Sequence, residues 1–231
     1  MALLASRKRT LRVRGIERRG RLLDAAWALL QERELNAISL GDVAERAGIP
    51  VGSAYHFYPS IEDVYAALIA RVEVELLSLH RVPLRTRPRR WSGLVEEFVD
   101  RGIALFEAQP AACKLLIGRH TPPDLKYRDR QNDRALAQIL EEKISAVFAL
   151  PEIADRSEIF YRAIEIADLM FTLSVIDGGA LTAVMKLEAK RAAIAYLASY
   201  FPLDLPRRPQ PKKKQGPAPP RPARRAVRKA R

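Results

Sequence analysis

Apolar residues recur at three- and four-residue spacing along most of this 231-residue chain, and beyond Trp91 no stretch alternates apolar and polar positions as a half-buried strand would. The pattern predicts helices over about 16–33, 40–47, 51–58, 61–79, 92–108, 110–118, 124–148, 156–177 and 181–201, an all-α chain. Pro110, Pro122, Pro123 and Pro151 mark breaks, and residues 80–91, with Pro83, Pro88 and five arginines, interrupt the pattern as a solvated loop. Ile16, Leu23, Ala26, Trp27 and Leu30 form the expected buried stripe of the first helix.

The segment from Ser39 to Val64 is the most informative. Ser39 is placed to cap a two-turn helix, with Asp42 three residues on completing a capping box, and Leu40, Val43, Ala44 and Ala47 give that helix one apolar face. Gly48 can close it in the left-handed conformation, and Pro50 has the fixed φ that suits the opening turn of a second helix, 51–58. That second helix is too short to be stable alone and carries small residues at Gly52, Ser53 and Ala54, so its backbone can approach another surface closely. Tyr58 reads as core. Two short helices about a tight turn form a helix-turn-helix, whose second helix enters the major groove with its N-terminal residues on base edges.

Residues 19–64, RGRLLDAAWALLQERELNAISL followed by GDVAERAGIPVGSAYHFYPSIEDV, together with the long helix starting near Ile61, resemble the TetR family of bacterial transcription regulators. The resemblance implies that Gly52 and Ser53 pack close to DNA, Tyr55 and His56 bond phosphates, Val51 faces bases, and Ser39 combines capping with a phosphate contact. Ile61 stands where relatives often carry a phosphate-binding lysine, and Gly41 where some carry a base-reading arginine. The implied architecture is a three-helix helix-turn-helix DNA-binding domain, residues 16–62, followed by a helical ligand-binding and dimerisation domain, residues 63–203. A basic disordered arm, 1–15, and a disordered Pro/Lys/Arg-rich tail, 204–231, flank them.

Charge adds partners to this picture. Of the net +13, residues 1–21 hold +7 and residues 207–231 hold +11, which leaves −5 for the body between them. Cationic ends on a mildly acidic body suit a polyanion, and Arg14 and Arg18, with Arg12 and Arg19, lie where an N-terminal arm reaches phosphates or the minor groove. Double-stranded DNA is the expected partner, in the cytoplasm. No eighteen-residue apolar run indicates a membrane span, and MALLAS followed by Arg7, Lys8 and Arg9 does not read as a signal peptide.

The last two helices predict a second protomer. Phe160, Ala163, Ile164, Ala167, Phe171 and Val175 lie on one side, while Ile166, Leu169, Met170, Leu173 and Ile176 extend onto another. A helix apolar on two sides needs two contacts, a domain core and the matching pair of a homodimer. Val184, Leu187, Ile194, Leu197 and Phe201 are expected to continue the second face.

The expected function is a sequence-specific regulator, a repressor released from a palindromic operator by a small hydrophobic or amphipathic ligand. Candidate walls for that ligand are Phe98, Phe106, Leu116, His120, Tyr127, Phe160, Ile164 and Phe171, each of which also reads as plain core. The alternative is an architectural protein that coats DNA without choosing sites. Catalysis has no support: the only histidines, His56, His80 and His120, show no HExxH spacing, and no phosphate-binding glycine loop or GxSxG turn occurs. No cofactor or metal is implied, and the lone Cys113 excludes a disulfide framework or thiolate zinc cluster. Glu96–Glu97 and Glu141–Glu142 read as solvated helix faces.

Overall fold

A computed structural model describes residues 2–83, 85 and 88–209, with side chains from Val13 onward. Nine α-helices are present among them: α1 Ala2–Glu32, α2 Leu40–Ala47, α3 Val51–Phe57, α4 Ile61–Arg81, α5 Ser92–Ala108, α6 Pro110–Leu116, α7 Pro123–Val147, α8 Arg156–Gly178 and α9 Ala183–Ala198. A 3-10 turn, Leu35–Ala37, joins α1 to α2. Apart from a single bridge between Phe148 and Arg207, no β-pairing occurs among the described residues.

Stop and start signals explain most boundaries. Ser39–Asp42 and Ser60–Asp63 form complete capping boxes at the starts of α2 and α4, Pro110 and Pro123 open α6 and α7, and Thr182 caps α9. Gly48 and Gly179 take positive φ, 61° and 72°, and close α2 and α8. The arm expected to be disordered over 1–15 is helical from Ala2, and the reason is local: Ala, Leu, Lys and Arg dominate this stretch, with neither Pro nor Gly before Gly15. Ile16 is solvent-facing, and the buried stripe of α1 runs instead through Leu22, Ala25, Ala26, Leu29 and Leu30.

One core runs through the molecule. α1, α2, α3 and the start of α4 pack around Leu22, Leu30, Val43, Ala44 and Val64, and the Tyr65 hydroxyl donates to Leu35 O at 2.8 Å. α4 passes on into the larger body, where α5, α6 and α7 pack against it, α8 packs on α7 and α9, and α9 packs on α5. Its C-terminus is gathered by Arg101, which donates to Leu79 O, Val82 O and Pro83 O at 3.0, 2.7 and 2.7 Å and pairs with Glu97 at 2.9 Å. Cationic donors on a helix's last carbonyls satisfy groups the helix cannot. Glu97 and Glu141, read as solvated, are therefore mostly covered members of ion pairs, the latter with Arg156 at 2.7 Å.

At the far end, Trp91 is buried against Phe201 and donates from Nε1 to Pro202 O at 2.8 Å. The chain then pairs back onto the body: Ala149 N donates to Pro206 O, Arg208 N donates to Val147 O, both at 2.8 Å, and Arg90 pairs with Asp204. The start of the proposed tail, 204–209, is thus tied down by backbone bonds. The rest of that tail, 210–231, lies outside the described residues.

Candidate DNA interface and effector cavity

The headpiece geometry follows from two caps and a glycine. Ser39 Oγ accepts from Asp42 N at 3.1 Å, while Asp42 accepts from both Ser39 N (2.8 Å) and the Ser39 hydroxyl. The hydroxyl proton is spent on Asp42, whose carboxyl is held below its usual range first by that bond. Arg21 donates to Ala47 O and reaches Gly48 O at 3.5 Å, placing a cation at the C-terminus of α2. Ile49 is buried beneath the turn, and α3 starts after Pro50.

α3 is two-faced. Ala54 and, just past its end, Tyr58 are buried, whereas Val51 (47%) and Tyr55 (53%) stand out with Gly52 and His56, and Ser53 is half-buried. A Cβ built on Gly52 would meet nothing within 4 Å. The fold does not require glycine there, although a helical glycine costs about 0.5–1 kcal/mol relative to alanine. Arg14 and Arg18 are exposed along α1. Arg19 instead donates to Phe57 O at 3.4 Å and lies over the Tyr58 ring, so it closes the end of α3. The side chain of Arg12 falls outside the described residues.

In the body, α4, α5, α6, α7 and α8 line a cavity of about 60 Å³. Five of the expected wall residues line it: Phe98, Phe106, Leu116, Ile164 and Phe171. Three do not. Phe160 packs on Phe201 with ring centroids 5.6 Å apart, Tyr127 points outward on α7, and His120 lies on a separate cleft of about 540 Å³ beside α6. Phe106 borders both spaces and meets Phe171 edge-on. Cys113 lines the outer cleft, its thiol pushed up to about 11 by burial.

The cavity also holds residues with no expected role. His80 on α4 contacts Leu76 O (2.8 Å) and Phe98 O (3.1 Å), and burial holds its pKa below the usual range. Asp129, Asp133 and Asp168 line the same space. Burial raises all three, Asp129 to about 8 and Asp168 to about 6, and mutual repulsion adds to the first two.

On the opposite side of α8, Leu169, Leu173 and Ile176 are exposed, as are Val184 and Leu187 on α9. Leu197 and Phe201, expected on that face, are buried in the core instead. No described helix is long and apolar enough to cross a membrane.

Two family models account for most of the chain: "Bacterial regulatory proteins, tetR family" matches residues 22–68, and "Tetracyclin repressor-like, C-terminal domain" matches residues 89–201. The chain belongs to the TetR family. Among curated TetR-type proteins, the repressor KstR2 of Mycobacterium tuberculosis is 44% identical over 52 residues, 22% of this chain and 26% of that protein. EthR of the same species is 34% identical over 104 residues, 43% of this chain and 48% of EthR. The activator FasR of Mycolicibacterium smegmatis is 34% identical over 87 residues, covering 36% and 40%. These matches span between a quarter and about half of each relative's length. A TetR-family regulator from Streptomyces coelicolor superposes with a TM-score of 0.62 at 24% identity, over 80% of this chain and 99% of that one, which establishes the shared fold.

Within this TetR fold, sequence reasoning missed the three aspartates because it searched the body for apolar walls. A signal was there. Asp129 and Asp133 are spaced i, i+4 in the same row as Leu125, Leu136 and Leu140, so acids occupy core positions of the α7 stripe. Asp168 sits likewise between Ile164 and Phe171 on α8.

Proposed function

We propose that this protein is a homodimeric, ligand-responsive transcriptional repressor that reads a near-palindromic operator in the cytoplasm. The observation that carries the reading is the outward face of α3, where exposed Val51, Tyr55 and His56 surround a glycine with open space beyond it. A convex, close-approach surface of this kind fits the major groove. Val51 faces bases; Tyr55 and His56 hold phosphates; and Gly52 and Ser53 let the backbone near the duplex. Ser39 contributes chiefly as the cap that presents the N-terminus of α2, because its hydroxyl proton is already engaged. Arg14 and Arg18 supply further phosphate contacts from α1.

Pairing through α8 and α9 is supported by Leu169, Leu173, Ile176, Val184 and Leu187, an apolar row left open on one protomer. Two copies of α3 then face successive major grooves about 34–36 Å apart. The domain division at residues 16–62 and 63–203 serves this reading, with α4 belonging to both parts. α4 starts at the Ser60 cap next to α3 and carries Leu76 and His80 into the inner cavity. Lys114 on α6 adds a second link, donating to Leu30 O and Arg33 O at 3.0 and 2.9 Å and so fastening the end of α1. A ligand that widens a cavity of about 60 Å³ must displace α4 or its neighbours, and only a ligand that favours the displaced state shifts the protein off DNA.

Footprinting on genomic fragments tests the proposal. A short protected palindrome, lost on substitution of Val51, is the expected result; uniform coverage at moderate salt would instead identify a DNA-coating protein.

A further inference from the structure

The inner cavity is apolar on most sides, yet three carboxyl groups face it. Asp129 and Asp133, at 9% and 8% exposure, come from α7, and Asp168 comes from α8. Among the described residues, nothing donates a hydrogen bond to Asp129 and no cation lies within ion-pair distance of it, although it is more than nine-tenths buried and borders the cavity. Asp133 lies within hydrogen-bonding reach of Glu165, an arrangement that holds only while one of the two carries a proton. Glu165 Oε1 is itself buried without a donor.

The local charge balance is negative. Glu73, half-buried on α4 and raised by burial, and Glu165 join the three aspartates, while Lys126 and Arg130 are the cations acting on the cluster. Both cations are partly committed, Lys126 donating to Thr172 Oγ1 at 3.3 Å and Arg130 pairing with Glu165 at 3.3 Å. His80 faces the same space; burial lowers its pKa, while its contacts to Leu76 O and Phe98 O oppose that shift. A core stripe that keeps acids where leucine would fit sacrifices stability, and such a departure from local rules marks a site of use.

We infer that the effector is an organic cation, its ammonium or amidinium group seated against Asp129, Asp133 and Asp168 and its apolar body against Phe98, Phe106 and Phe171. This rests on the reading of the inner cavity as the effector site. A desolvated carboxylate with no donor gains most from a positive ligand and repels an anionic one. A bare metal ion fits less well, because no three His, Cys, Asp or Glu side chains among the described residues converge closely enough to hold one. A small space of about 70 Å³, bordered by Lys126, Asp129, Asp168 and the exposed Leu169, lies between these acids and the α8 surface. Because burial and the neighbouring carboxyls favour the protonated form of Asp129, an arriving cation that stabilises its carboxylate favours release of a proton into solvent.

Three probes of matched shape test this on the full-length dimer: 4-phenylbutyltrimethylammonium, 4-phenylbutanol and 5-phenylpentanoate. Calorimetry at pH 7 in buffers of different ionisation enthalpy is expected to show the ammonium binding at least tenfold more tightly than the alcohol, with net proton release, and the carboxylate not binding. Asp129→Asn and Asp168→Asn should each weaken the ammonium about tenfold, abolish part of the proton release and leave the alcohol unchanged. Tighter binding of the alcohol or carboxylate, failure of the ammonium to bind, or ammonium affinity indifferent to both substitutions overturns the inference. The regulator reading is judged separately, by whether the unliganded protein selects a palindrome: site selection without ammonium binding leaves that reading standing.

Discussion

The headpiece and the interior of the body depart from the rules of stable packing in opposite ways. On α3 the departure is too little: Gly52 leaves a helix surface bare that any side chain could cover. Between α7 and α8 it is too much: Asp129, Asp133 and Asp168 put charge where the surrounding stripe is Leu, Ile and Phe. The first leaves room for something large approaching from outside, and the second leaves the buried acid Asp129 without a donor for something small entering from within. A further contrast concerns apolar surface. The headpiece turns its large aliphatics inward, except for Val51 on the outer face of α3 and Val13 and Ile16 on α1, whereas α8 and α9 leave Leu169, Leu173, Val184 and Leu187 open.

The largest expected effect breaks the pairing on which that contrast depends. Leu173→Asp combined with Leu187→Asp places charges in the proposed dimer face while leaving the intramolecular core untouched. Sedimentation should report a folded monomer, and operator affinity measured by fluorescence anisotropy should fall by about 10²–10⁴, the loss incurred when two linked half-site contacts become one. A variant that stays dimeric would place the partner surface elsewhere.

Next comes the cost of the buried acids. Asp129 is raised to about 8 and Asp168 to about 6, both from 3.8, so the folded state keeps protons that the unfolded chain has released. Their favourable contribution is complete below about pH 4 and is lost as pH rises towards 8. The unliganded protein should therefore lose stability across that window in urea titrations. Asp129→Asn should flatten the dependence and add about 1–3 kcal/mol at pH 8, the scale of an unmet buried polar group. A variant less stable than the parent at pH 8 would show that Asp129 has a structural partner.

The two regions also differed in how far the sequence disclosed them. The caps at Ser39 and Asp42, the left-handed Gly48 and the buried Tyr58 depend on neighbours within a few residues, and the structure has each where the pattern indicated. Helix ends likewise fell within a few residues for α2 to α9. Three-dimensional closeness was harder to read. Arg19 looked like part of a cationic arm until Phe57 O and the Tyr58 ring, 38 and 39 positions along the chain, proved to be its neighbours. Of the other proposed wall residues, Phe160 packs in the core against Phe201, Tyr127 is exposed and His120 lines the outer cleft, because aromatic content alone does not say which space a ring meets. The acids went unseen for the converse reason: an aspartate reads as surface until the stripe around it is placed in a core.

Smaller effects sharpen the account of the headpiece. Tyr55→Ala removes an exposed ring that touches nothing essential to folding, so thermal stability should stay within about 0.5 kcal/mol of the parent. If the hydroxyl holds a phosphate, affinity for operator and random duplex should fall together, by about 0.5–1.5 kcal/mol in anisotropy titrations, since phosphate contacts position without specifying. An unequal loss would move Tyr55 from the backbone to the bases.

Gly52→Ala gives a small change in stability and the sharpest contrast, because its two effects have opposite signs. The added methyl enters open space and relieves the entropy cost of a helical glycine, so unfolding should be harder by about 0.5–1 kcal/mol. The same methyl should collide with a duplex approaching along the outer face of α3, weakening DNA binding at every sequence. The corresponding change inside the body, Asp129→Asn, also stabilises the unliganded chain but should spare DNA and impair the cationic ligand. If Gly52→Ala instead stabilised the protein and left DNA affinity intact, α3 would not lie close against the duplex, and the openness at Gly52 would have no bearing on recognition.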